Sequence, residues 1–169
     1  MAETLPEAWQ RGPFPGVDPF LMPAAHALVQ VSEELEAAVG LTSEQLRARP
    51  GGVASIGFHL RHIAGSTERL LAYARGEALT PEQLEVAARE AEAEEPADAG
   101  RLIAGAREAL ERALDQVRAT PREALLEART VGRKRLPSTV LGLLSHVAEH
   151  AGRHAAQLIT TARIVRAGG

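Results

Sequence analysis

Three of the six histidines stand at four-residue intervals near the C-terminal end, in Ser145-His146-Val147-Ala148-Glu149-His150-Ala151-Gly152-Arg153-His154. A helix turns about 100° per residue, so a four-residue step returns to nearly the same face one turn along. Two histidines so spaced can place two imidazole nitrogens on one metal ion. A third donor is on offer far upstream, in Phe58-His59-Leu60-Arg61-His62-Ile63-Ala64. The chemistry implied is a three-histidine metal centre between two helices. The alternative for any one of these histidines is a packed or hydrogen-bonded ring, an alternative that weakens for a spaced pair with a third candidate elsewhere.

Helical phase sorts the candidates. The apolar stripe of the last helix is marked by Val140, Leu144, Val147, Ala151, Leu158 and Ala162. His154 falls within it, His150 at its edge, and His146 further round beside Glu149 and Arg153. The inward pair is therefore His150 and His154. In the upstream segment His59 lies nearer the centre of the Ile56, Ile63 and Leu70 stripe than His62 does, so periodicity alone favours His59.

Three neutral imidazoles with an open coordination position would form a catalytic rather than a closed structural site. A cation so held keeps its full charge and lowers the pKa of a bound water or thiol. The chain has no cysteine, which excludes disulfides, thiolate ligands and a cysteine nucleophile; any thiol must come from a small molecule. The net charge of -3 gives no basic surplus for nucleic acid or membranes. No leader-like segment or membrane-length apolar run is visible, and a cytoplasmic protein is expected.

The elements that must position these histidines are helical. The composition is low in aromatics, at 3%, and rich in alanine, leucine, glutamate and arginine. Residues 1–17, with Pro6, Gly12, Pro13, Pro15 and Gly16 around Trp9 and Phe14, read as an irregular arm pinned by its two aromatics, and residues 18–169 as one domain. Asp18-Pro19 opens a first helix that runs to about Val39 and stops at Gly40. Thr42-Ser43-Glu44-Gln45 is a capping box for one short turn. Ser55 caps a second helix reaching Arg75, closed by Gly76. Thr80-Pro81-Glu82-Gln83 is another capping box, leading into a short acidic helix from Leu84 to Glu94; Glu90, Glu92, Glu94 and Glu95 read as a solvated face or connection. A third long helix spans Asp98 to Arg118, with Ile103, Ala106, Leu110, Ala113 and Val117 at the spacing of a bundle seam. Arg129 to Pro137 reads as a basic loop, and the last helix runs from about Ser138 to Val165. The expected fold is all-α, a four-helix bundle with crossover connections and short helical inserts.

The segment Gly51-Gly52-Val53-Ala54-Ser55-Ile56-Gly57-Phe58-His59-Leu60-Arg61-His62-Ile63-Ala64-Gly65, followed downstream by His150-x-x-x-His154-x-x-Gln157, resembles the DinB-like superfamily. That superfamily includes bacillithiol S-transferases and mycothiol-dependent maleylpyruvate isomerases. The resemblance implies a four-helix bundle, often a homodimer, with a divalent metal on His62, His150 and His154; three imidazoles suit zinc, nickel, copper or iron, of which zinc or nickel is expected. It also implies transfer of a low-molecular-weight thiol, as a metal-bound thiolate, to an electrophilic small molecule. Hydrolysis, or a non-catalytic bundle with a vestigial site, are the alternatives. Arg153-His154-Ala155-Ala156-Gln157 departs from the His-His-Arg-Gly-Gln of many relatives, which leaves substrate choice open.

Around such a site, Gln157 is a candidate to donate to substrate or to orient a ligand, against a plain surface glutamine. His59 is a candidate proton relay, against a packed core histidine. Glu149 is a candidate base whose wheel position is outward. His26 is a candidate for the same cavity, and Arg133, Lys134 and Arg135 for the rim, against a solvated loop.

Overall fold

The computed structural model describes residues 5–90 and 98–168. Its elements are α1 (Met22–Glu34), α2 (Ser43–Arg47), α3 (Ile56–Ala74), α4 (Pro81–Arg89), α5 (Ala99–Ala119), β1 (Ala128–Val131), β2 (Leu136–Thr139) and α6 (Val140–Ala167). Helices α1, α3, α5 and α6 form the four-helix bundle. Both α1 and α3 pack against α5 and α6, so α1 faces α3 across the bundle and α5 faces α6. Consecutive long helices are thus not always neighbours, which is the expected crossover arrangement.

Helix starts are set by side-chain caps. Ser55 Oγ accepts from the Phe58 amide at 3.2 Å, Asp98 Oδ1 from the Arg101 amide at 2.8 Å and Thr139 Oγ1 from the Gly142 amide at 3.0 Å. Thr42 with Gln45, and Thr80 with Gln83, close the two capping boxes. The first helix differs from expectation. Asp18 Oδ1 accepts from the Phe20 amide in a preceding turn, and the α-helix proper starts at Met22. It tightens to a 3-10 turn over Leu35–Ala38. At the end of α3 the Gly76 amide donates to Tyr73 and the Glu77 amide to Ala72, a closure that needs the positive φ of Gly76.

The core joins the predicted stripes of α3, α5 and α6 to an apolar face of α1, with Leu70 only partly buried against it. Leu28, Val31 and Leu35, Ile56 and Ile63, the whole α5 seam, and Leu144, Val147, Ala151, Leu158 and Ala162 are buried in one cluster. The arm is held by Phe14 packed edge-on against His26 and by Arg11 bound to Glu33 at 2.6 Å, whereas Trp9 is 61% exposed. The expected basic loop is in fact a two-stranded antiparallel hairpin, Ala128 opposite Thr139 through Val131 opposite Leu136. Four-residue strands are too short to show alternation in sequence. Arg129 Nε ties the hairpin to the Ala74 carbonyl at the C-terminal end of α3. No helix among the described residues is long and apolar enough to cross a membrane.

Candidate metal centre

Helices α3 and α6 run antiparallel along one seam, so residues descending α3 meet residues ascending α6. His62 Nε2 stands 2.9 Å from His150 Nε2, and His59 Nδ1 stands 2.9 Å from His154 Nδ1. The His62 and His154 ring centroids are 4.4 Å apart, and those of His150 and His154 4.7 Å. Among the described residues, His62, His150 and His154 each offer a nitrogen within 4.8 Å of the other two. Tetrahedral coordination with bonds of about 2.0–2.1 Å separates ligand nitrogens by about 3.3–3.4 Å, so small ring adjustments would let all three share one ion. The three rings are half-buried, and Phe58 stacks on one face of His62, ring planes 14° apart.

The neighbours fix where the protons sit. His62 Nδ1 is 2.7 Å from Glu90 Oε2, while Arg69 binds both Glu90 oxygens, at 2.7 and 3.0 Å. At the other end of the chain of rings, Arg153 Nη2 lies 3.2 Å from His150 Nδ1. A guanidinium only donates and a carboxylate only accepts. The chain is therefore directed: Arg153 donates to His150 Nδ1, His150 Nε2–H to His62 Nε2, and His62 Nδ1–H to Glu90.

Burial favours the neutral form of His150 and His154, the form that metal binding requires. His154 is pushed down to about 4, first by burial and then by the His62, His150 and His59 rings and Arg153. His150 is lowered by burial, then by His62, His146 and Arg153, with Glu149 opposing. His59, 1% exposed, is lowered by burial and by His62. Burial alone would raise Glu90, but hydrogen bonds from His62 and Arg69 together outweigh it and hold the carboxyl below its usual range.

The profile of the DinB superfamily matches residues 27–158, most of the chain and all four of the histidines just described. The chain belongs to the DinB superfamily. Within the DinB fold it is similar to YfiT from Bacillus subtilis, described as a probable metal-dependent hydrolase with an unusual four-helix bundle topology. The two share 18% identity, with a TM-score of 0.66 over 93% of each chain. No curated protein sequence matches.

On this DinB scaffold the candidates separate cleanly. His62 rather than His59 reaches both histidines of α6 closely enough to complete the cluster. The wheel favoured His59 because the centre of a stripe faces the hydrocarbon core, whereas a half-open site forms at the stripe's edge. His59 lies behind His154, with its Nδ1 on the His154 ring. Gln157 is exposed on α6. Glu149 is exposed and bridges Arg153 at 2.7 Å and His146 at 3.1 Å. His26 is not at the cluster: its Nε2 donates to the Gly12 carbonyl at 2.9 Å, holding the arm. The hairpin carrying Arg133, Lys134 and Arg135 is anchored at Ala74, about 18 Å along α3 from His62 at 1.5 Å per residue.

Glu90 corrects the reading of the acidic run as a solvated face. It is 8% exposed, buried between Arg69 and His62, while Glu92, Glu94 and Glu95, with the end of the predicted acidic helix, lie outside the described residues. The available signal was Gly65, one turn beyond His62. A glycine inside a helix is disfavoured by about 1 kcal/mol and marks a close approach. A Cβ built on Gly65 would fall inside the Glu90 carboxylate and stand 2.8 Å from Arg69 Nη1.

Proposed function

We propose that this chain is a metal-dependent enzyme that transfers a low-molecular-weight thiol to an electrophilic small molecule, with His62, His150 and His154 holding a zinc or nickel ion in each subunit of a homodimer. The observation that carries the reading is the convergence of those three rings from α3 and α6. A divalent cation on three neutral imidazoles keeps its full charge and lowers the pKa of a thiol or water that reaches an open position.

The chain's own residues supply binding and orientation rather than a nucleophile. There is no cysteine, so the sulfur must arrive on a cosubstrate. In the transfer, the thiol proton leaves to solvent, the sulfur forms a bond to the electrophilic carbon, and the leaving group departs with its bonding pair. Among the described residues one carboxylate, Glu90, touches the three-ring cluster and a second, Glu149, stands beside it. Glu90 is engaged by Arg69 behind His62, and Glu149 is exposed and bound to Arg153 and His146. Neither is placed to protonate a leaving amine at the centre of the three rings. A thiol ionises near a cation without such a partner, and this favours thiol transfer over amide hydrolysis.

Hydrolysis is the second reading, favoured by the likeness in fold to a protein described as a probable metal-dependent hydrolase. The test is metal analysis of tag-free protein, then two assays on the loaded protein. One follows loss of a small thiol onto a model electrophile; the other follows ester cleavage without thiol. Thiol-dependent turnover above the metal-free control is expected. Ester cleavage alone would establish the second reading, and less than about a tenth of an equivalent of metal, with no uptake of added zinc or nickel, would overturn both.

A further inference from the structure

We infer that Glu90, seated by Arg69 and admitted by Gly65, is a positioning residue that fixes His62 as its Nδ1–H tautomer and leaves the Nε2 lone pair facing His150 and His154. The inference deepens the metal-site reading and rests on it for its consequence, though the tautomer itself does not. Glu90 lies just past the end of α4, outside the pair of helices that carry the histidines. Its carboxylate reaches across to α3, where Arg69 grips both oxygens and His62 Nδ1 meets one of them. An ionised carboxylate can only accept, so the proton between them belongs to His62 Nδ1. Free imidazole in a peptide carries no such constraint. A ring anchored on its outer nitrogen presents the inner one in a fixed direction, and its basicity rises.

Three features converge on this contact. Glu90 is buried, which an unengaged carboxylate in an acidic run would not be. Arg69, also largely buried, has both terminal nitrogens on it. Gly65 removes the side chain that would occupy the same space. Each is costly alone: a buried charge, an immobilised arginine and a glycine inside a helix. Together they serve one hydrogen bond to one histidine.

The test compares wild type, Glu90→Gln, Glu90→Ala, Gly65→Ala and the Gly65→Ala/Glu90→Ala double variant. Side-chain 15N NMR of metal-free protein at about pH 8 reads which His62 nitrogen is protonated, and zinc competition with a chromogenic chelator reads affinity. Wild type should show His62 protonated at Nδ1, with that preference lost in Glu90→Ala and Gly65→Ala and retained in part in Glu90→Gln, whose amide oxygen still accepts. Zinc affinity should fall about 10–100-fold in Glu90→Ala and Gly65→Ala, and the double variant should be no weaker than the worse single. An unchanged His62 tautomer in Glu90→Ala overturns the inference. So does strict additivity in the double variant, since both changes are argued to act through one contact. A tautomer preference that is lost across the variants as expected, with no zinc taken up by wild type, would support the positioning role and overturn the metal-site reading instead.

Discussion

His59 and His154 meet Nδ1 to Nδ1 at 2.9 Å across the seam between α3 and α6, and His59 is almost wholly removed from solvent. One ring must donate and the other accept. For His154 to turn its Nε2 lone pair to an ion, its Nδ1 carries the proton and His59 accepts it. His59→Leu keeps the volume roughly and removes the acceptor. Zinc affinity is expected to fall about tenfold or more, with helicity by circular dichroism unchanged. A variant binding zinc as tightly as wild type would show that His59 only packs.

Much of this arrangement was legible in one dimension, and the reasons for the rest are physical. The two capping boxes and the Ser55 cap are local, made by side chains three residues from the amides they bind, so sequence suffices to place them. The α5 seam repeats at bundle spacing and is buried throughout. The hairpin is different: it is held by pairing between strands too short to carry a pattern, and by an arginine reaching Ala74. Glu90 was hidden because its partners, Arg69 and His62, are 21 and 28 residues away. Nothing in an acidic run marks which glutamate turns inward. The His59 and His62 alternative was resolved by resemblance because periodicity locates the driest face of a helix, and a site that admits substrate lies beside that face.

The histidines of α6 should differ sharply in their contribution. His154→Ala removes one of three converging rings, and metal measured by mass spectrometry in tag-free protein should fall from near one equivalent to below about a tenth. His146 points outward, its Nδ1 on Glu149 and its side chain nearly half exposed. His146→Ala should retain the metal within about twofold. Equal losses in the two variants would mean that the ion, if present, sits elsewhere on the helix.

Metal-free protein should lose stability as the solution is acidified from pH 7 to about 5. Unfolded histidines titrate near 6.5, while His154 in the fold is pushed to about 4 and His59 and His150 are also lowered. Across that window the unfolded chain holds more protons than the folded one, so stability rises with pH and levels off above the unfolded value. Urea midpoints at pH 7.5, 6 and 5 should decrease in that order, and His154→Leu should flatten the trend. The carboxylates held low by partners, Asp18 with Arg122 and Glu33 with Arg11, add their own losses only below about pH 4.5. A midpoint independent of pH between 7.5 and 5 would contradict the neutral, buried state of these rings.

Arg153 is placed to oppose the ion. Its Nη2 donates to His150 Nδ1, which forces the His150 proton onto Nε2, the nitrogen that faces His62. Coordination through that nitrogen requires the proton to move to Nδ1 and Arg153 to withdraw, and Glu149, already bound to Arg153 Nε at 2.7 Å, can keep hold of it. The guanidinium also repels a dication from close range, at a position exposed enough for solvent to weaken the effect. Arg153→Gln should therefore tighten zinc binding by about three- to tenfold, equivalent to about 0.7–1.4 kcal/mol. The gain should shrink as salt is raised, because only the charge contribution is screened. Weaker binding in Arg153→Gln would mean that the arginine orients His150 for the ion instead of competing with it for the ring.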